Sequence, residues 1–250
     1  MIVEARGRAR ISISTAWQEF CCIPEQQASL WTQTIDEVTN TGILAANSTD
    51  STEQELSLDL VVPEYINVEV YGGWISLNMV NKLQGDLIVH CQSGSIQLHK
   101  VKGEQIELLC GDADIQVEKA LEGNVHLQAK GFKAKMLNVS DIKITSSKSV
   151  HINALYCRYA QIQAKEDVLI DLLKGTAVVV SSSGDIRMNN VDGAIRVLAE
   201  SGGVEVQANN LLPFTFDSKS EEVRIDAPEG STQIYLSPQV RMGVDKLFLI

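Results

Sequence analysis

The chain has 250 residues, of which 44% are hydrophobic and 21% are charged, a composition typical of globular rather than disordered proteins. Its 21 Lys and Arg residues against 32 Asp and Glu residues give a net charge of −11. An acidic surface repels phosphates, which argues against general nucleic-acid binding or binding to an anionic membrane. No run approaches the roughly 18 apolar residues of a membrane span, so we predict no transmembrane segment. The five scattered cysteines favour a reducing, intracellular compartment over a disulfide framework.

Residues 1–54 are predicted to be an N-terminal segment outside the repeats. Arg6, Arg8 and Arg10 lie among Ser and Ala residues, and Glu4 is the only acid before Glu19. A mitochondrial transit peptide has this composition, although an arbitrary or alternatively spliced start is the favoured interpretation. The segment ends in a polar stretch, residues 47–55, that we interpret as a linker.

The rest of the chain carries a repeat of apolar-x-apolar triplets. In sixteen of the twenty triplets the residue in the middle is polar or charged. This period-two alternation is the signature of a strand with one buried face. Successive triplets of the first set are spaced almost evenly, except for one shorter step after Ala134. The first-set triplets begin at Leu58, Leu77, Ile96, Ile115, Ala134, Val150, Val168, Ile186, Val204 and Val223, and the interleaved second-set triplets begin at Val68, Leu87, Ile106, Val125, Ile142, Ala160, Ala177, Ile195, Phe214 and Ile234.

Short strands that recur with a fixed two-strand period cannot each bury a face alone. Coiling the chain stacks each strand on its counterpart one period away, so that the inward faces meet in a thin core. We therefore predict an all-β parallel β-solenoid (β-helix) of about ten short coils, with two strands per 18–19-residue coil. A β-sandwich is the main rival, but its strands have no reason to keep this period. The predicted solenoid domain spans residues 55–236, and residues 237–250 form a tail whose apolar end suits it as a cap.

The corners of the predicted coils carry small residues and glycines. Four positions after each second-set start stands a small residue, as in Cys91, Cys110 and Ser181. Residues 183–197, read with the Ser201-Gly202-Gly203-Val204 corner, resemble the repeat of the bacterial "putative adhesin" β-solenoid family. We interpret the chain as a eukaryotic relative of that family over residues 56–236. The resemblance implies a repetitive, non-catalytic solenoid of poorly defined function and supplies no catalytic residue.

Three acids and a Cys/His group are the candidates for chemistry. Asp112, Asp114 and Asp185 lie at corners beside glycines, where Asp is favoured for turn hydrogen bonds, so no catalytic role is assigned. Zinc binding by Cys91 and Cys110 with His90 and His126 would need ligands from both faces of one strand, so no metal site is predicted. No nucleophile, phosphate-loop or dinucleotide motif is present, and no cofactor is predicted.

One surface feature stands out, a lysine band in residues 130–148. It contains five lysines against the single acid Asp141. On an acidic protein this band suits an acidic partner, the surface of a neighbouring subunit or an anionic polymer, although a solvated surface without a partner is the favoured interpretation. The sequence favours a non-enzymatic scaffold or interaction module with an unknown protein partner or self-association. The alternative is a carbohydrate-binding or carbohydrate-cleaving β-helix. The five candidate partner-binding residues are Lys130, Lys133, Lys135, Lys143 and Lys148.

Overall fold

The computed structural model describes residues 1–16, 31–36, 41–46, 55–209, 214–218, 222–226, 234–236 and 246–249. In these residues every regular element is a β-strand, which confirms the predicted all-β class. The chain forms two compact units, Met1–Ala129 and Lys130–Ile250. Their described residues make about eight turns of parallel β-solenoid, where the sequence predicts about ten. No helix long and apolar enough to cross a membrane occurs in the described part of the chain.

The strands are numbered in chain order. The first unit contains β1 (Ile2–Ala16), β2 (Trp31–Asp36), β3 (Thr41–Ala46), β4 (Glu55–Pro63), β5 (Val68–Gln84) and β6 (Leu87–Ala129). The second unit contains β7 (Gly131–Ser146), β8 (Val150–Ala164), β9 (Val168–Ser181), β10 (Ile186–Asp192), β11 (Ile195–Ala199), β12 (Val204–Ala208), β13 (Phe214–Ser218), β14 (Glu222–Asp226), β15 (Ile234–Leu236) and β16 (Lys246–Leu249). The longest strand, β6, continues around corners of the coil.

The register within each unit follows the predicted repeat. Val168 of β9 pairs in parallel with both Val150 and Ile186, its counterparts in the preceding and following coils. Along each strand the burial alternates, so that Ile96 and Leu98 are fully buried. The column of small residues lies inside, and its buried members are Cys91, Cys110, Ala129, Ser146, Ala164, Ser181 and Ala199. The two-strand coil is therefore confirmed at the level of residue pairs.

Glycines at the corners let successive coils approach closely. Gly123 has a φ of 139°, and a Cβ there would overlap the carbonyl oxygen of Gly103 in the preceding coil. In the second unit, a Cβ on Gly175 would overlap the carbonyl oxygen of Cys157 in the same way. Both positions need a backbone conformation that residues with side chains rarely adopt, together with space for backbone contact. These two requirements explain why glycines stand at the predicted corners.

The N-terminal strand β1 lies inside the sheet of the first unit. Ile11 pairs in parallel with Leu58 of β4 on one side and with Leu77 of β5 on the other. The repeat predicts that Leu58 and Leu77 are neighbours in successive coils. This prediction is wrong, because Ile11 of β1 lies between them. Parallel pairing therefore begins at Ile2, before the predicted solenoid boundary at residue 55. Of the predicted linker only Glu55 belongs to the described residues.

A second correction concerns the triplet at Ala134. The sequence analysis places Ala134 and Met136 inside, whereas the structure buries Phe132 and Ala134 and leaves Met136 40% exposed. Phe132 pairs with Val150, which in turn pairs with Val168, so both of these steps are one period long and the shorter step after Ala134 came from a misassigned register. Phe132 takes the core position predicted for Ala134, and Ala134, which pairs with Ile152, takes the one predicted for Met136.

The C-terminal tail contributes one described strand. Leu247 and Leu249 of β16 pair in parallel with Val223 and Ile225 of β14. Residues 237–245 and 250 of the predicted cap lie outside the described residues.

Candidate partner-binding surface

The charges of the chain are distributed unequally between the two units. Residues 1–129 hold 7 basic and 18 acidic residues, whereas residues 130–250 hold 14 of each. The whole net charge of −11 therefore falls in the first unit. Within the second unit the predicted lysine band lies on its first coil, which β7 forms.

Two of the lysines lie at the outward centres of strands. Lys133 stands between the buried residues Phe132 and Ala134, and Lys143 between the buried residues Ile142 and Ile144. The first pair belongs to a first-set strand and the second to a second-set strand, so the two lysines lie on opposite faces of the coil. The triplet predicted to begin at Ala134 would have Lys135, not Lys133, as its outward middle residue. In the structure Lys133 takes that place, because the buried pair is shifted by two positions.

The remaining lysines of the band lie at the edges of the coil. Lys135 is exposed just beyond the inward pair of its strand. Lys148 is exposed in the bend after β7, where its backbone N–H donates to the Lys130 carbonyl oxygen at 2.7 Å. Lys130 is half-buried and already takes part in an interaction. All five predicted residues are therefore on one coil, but only four of them are exposed.

Among the residues that the structure describes, these four exposed lysines form no ion pair. In the described part of the chain no carboxylate forms an ion pair with Lys133, Lys135, Lys143 or Lys148. The arginines nearby differ, since Arg158 pairs with Asp141. An external carboxylate can therefore approach these lysines without displacing an ion-pair partner among the described residues.

An apolar strip beside the band was missed by the sequence analysis. Met136 pairs with Ala154, and Ala154 pairs with Leu172, so the three form one column across successive coils. Met136 is exposed and the other two are half-buried. The next outward column contains Tyr156, which pairs with Lys174. We call Met136, Ala154, Leu172 and Tyr156 the edge strip. The even spacing from Met136 to Ala154 to Leu172, one period each time, is a sequence signal that could have identified it.

Two of the acids considered for catalysis, Asp185 and Asp112, already take part in interactions within the protein. Asp185 accepts the Gly203 backbone N–H at 2.8 Å through Oδ1, and its Oδ2 lies 2.9 Å from the Arg187 guanidinium. Asp185 thereby connects its corner to the corner of the next coil. Asp167 does the same one coil earlier, since its Oδ1 accepts the Asp185 backbone N–H at 2.8 Å. Asp112 is exposed and is engaged in an interaction.

The cysteines and histidines considered for zinc point in opposite directions. Cys91 and Cys110 are buried as free thiols, and the hydrogen bond with Cys91, together with burial, raises the pKa of the Cys110 thiol. His90 and His126 are partly exposed on the outside and share the Glu107 carboxylate at 2.6 and 3.9 Å. Within the described ranges no group of three or more His, Cys, Asp and Glu side chains could hold a metal ion.

Comparison with known proteins gives a family and a distant structural likeness. No curated protein matches the chain. The crystal structure of a "putative adhesin" from Bacteroides fragilis is similar to it, with 12% sequence identity, 91% coverage of each chain and a TM-score of 0.36. The family profile described as Toastrack DUF4097 matches residues 34–243, and the chain therefore belongs to the Toastrack DUF4097 family.

Proposed function

We propose that this chain is a non-enzymatic β-solenoid interaction scaffold that binds an acidic protein partner through the exposed lysines of the band. The observation that supports this function is the set of four exposed lysines without an internal ion pair on the first coil of the second unit, within the residues that the structure describes. Their positions on both faces and at the edge suit a partner that contacts the coil from its edge. Intracellular or mitochondrial location and a eukaryotic source stay predictions from the sequence.

The charge of the partner follows from simple electrostatics. Exposed positive charges attract the carboxylates of a partner. Salt weakens this attraction, because the Debye length is only about 10 Å at 0.1 M ionic strength. A second copy of the chain meets the charge requirement through its first unit, which carries the net −11. Self-association is therefore included in the test.

The test compares two triple variants of equal net charge. In the band variant, Lys133, Lys143 and Lys148 are changed to Glu. In the control variant, the exposed Lys102, Lys119 and Lys165 are changed to Glu. Exposed lysines contribute little to folding, so both variants are expected to keep the wild-type circular dichroism spectrum.

Binding of fluorescent poly-L-glutamate is measured by anisotropy at low and at high salt. We expect wild type and the control variant to bind with affinity that falls with salt, and the band variant to lose at least about tenfold at low salt. Equal binding by the two variants would refute the role of the band. Stronger binding to a single-stranded oligonucleotide of the same charge would refute a protein partner. Sedimentation at both salt concentrations reports self-association.

A further inference from the structure

The edge strip has the features of a contact surface for an aliphatic side chain. Its column of Met136, Ala154 and Leu172 crosses three successive strands of the second unit, which spans about 10 Å at the usual strand spacing. The column lies beside the buried corner residues Leu137, Leu155 and Leu173. Those leucines occupy the core, and the apolar side chains outside them keep exposed surface that a partner can contact.

Positive charges border this strip on both sides. Lys135 precedes Met136 in the chain, and Lys174 pairs in register with Tyr156. Both lysines are exposed, and in the described residues neither forms an ion pair. Asp171, which directly precedes Leu172 in the chain, already has internal partners. Its Oδ1 accepts a hydrogen bond from Asn189 at 3.4 Å, and its Oδ2 lies 3.9 Å from His151.

We propose that the edge strip binds an extended acidic segment of a protein partner that carries aliphatic side chains at alternate positions. The proposal rests on the proposed function and specifies the chemistry of its partner. In an extended segment, alternate side chains lie on one side about 7 Å apart, so two of them fit along a strip of about 10 Å. Flanking carboxylates of the same segment then reach Lys135 and Lys174.

The probes are two synthetic peptides of equal charge. One has the sequence Glu-Glu-Leu-Glu-Leu-Glu-Glu, and its twin has Ser in place of both Leu residues. We expect the Leu peptide to bind wild type about fivefold more tightly than the Ser peptide, the gain from burying part of each leucine. Met136→Ser should bring this ratio close to one. The matched control is Val80→Ser, which removes an apolar side chain of similar exposure from the first unit.

Further variants keep the proposal falsifiable. Leu172→Ser should act like Met136→Ser, and if it does not fold, Ala154→Glu places a carboxylate in the strip instead and should weaken both peptides. Changing Lys135 and Lys174 together to Glu should weaken both peptides and leave their ratio unchanged.

The outcomes separate the two proposals. If both peptides bind equally and both are lost in the band variant, the edge strip is refuted and the interaction function stands. If neither binds, both proposals are refuted. The assigned partner would be overturned if a Lys/Leu peptide bound more tightly than the Leu peptide. It would also be overturned if the protein self-associated through Met136 and showed no preference for the Leu peptide over the Ser peptide.

Discussion

The position of Phe132 gives a direct test of the register in the second unit. The apolar residues Phe132, Ala134 and Met136 alternate along one strand, and the structure buries the first two. Phe132 is 3% exposed, so Phe132→Ala removes a buried ring and leaves a cavity, which typically costs about 3–5 kcal/mol. Met136 is 40% exposed, so Met136→Ala should cost no more than about 0.5 kcal/mol.

Thermal unfolding followed by circular dichroism distinguishes the two variants. In a chain of this length, 1 kcal/mol shifts the melting temperature by about 2–4 °C. Phe132→Ala is therefore expected to lower the melting temperature by roughly 6–12 °C or more, and Met136→Ala by about 2 °C or less. Ile152→Ala, at a residue buried inside the same strand ladder, serves as a reference for core loss. The reasoning is refuted if Met136→Ala destabilises the protein as much as Phe132→Ala does.

Three further predictions address β1, the repeat and a thiol. Deleting residues 1–16 removes the strand that pairs with both β4 and β5, so we expect the first unit to lose cooperative melting and to be digested rapidly by trypsin. An unchanged melting curve and an unchanged digestion rate would show that these residues are dispensable for the fold. Deleting residues 186–203 brings Val204 into the place of Ile186 beside β9 and should leave a folded, shorter solenoid. Deleting residues 186–194 instead brings a second-set strand into that place and should abolish folding. Equal loss of stability in circular dichroism melts of the two deletion variants would contradict the register. Burial, with the charge of Asp141 as a smaller cause, raises the pKa of Cys157 to about 11. Alkylation of Cys157 by iodoacetamide should therefore be slow at pH 8 and accelerate about tenfold per pH unit up to that pKa, as measured by mass spectrometry of the labelled peptide. A rate that levels off near pH 9 would contradict this.

Coil corners and exposed lysines can be predicted from the sequence, because both are local properties. Alternation and spacing identify the core residues of most strands, and charge clustering in residues 130–148 identifies the four exposed lysines. The edge strip is different, because its one-period spacing is visible in the sequence, whereas the exposure of Met136, which has the parity of the buried Phe132 and Ala134, is decided by packing.

The period-two pattern, the repeat with its roughly 18-residue spacing and the small-residue column inside the coil all follow from the order of residues alone. Tertiary packing selects which residues of a pattern are used. Phe132, Ala134 and Met136 have the same parity, so a shift by two positions preserves the alternation, and only packing against Val150 and Ile152 selects the buried pair. The place of β1 is decided in the same way. The strand from Ile2 to Ala16 carries none of the predicted triplets, so the repeat spacing gave it no neighbours. It lies between β5 on one side and β3 and β4 on the other, because its backbone groups and apolar side chains are satisfied on both sides there.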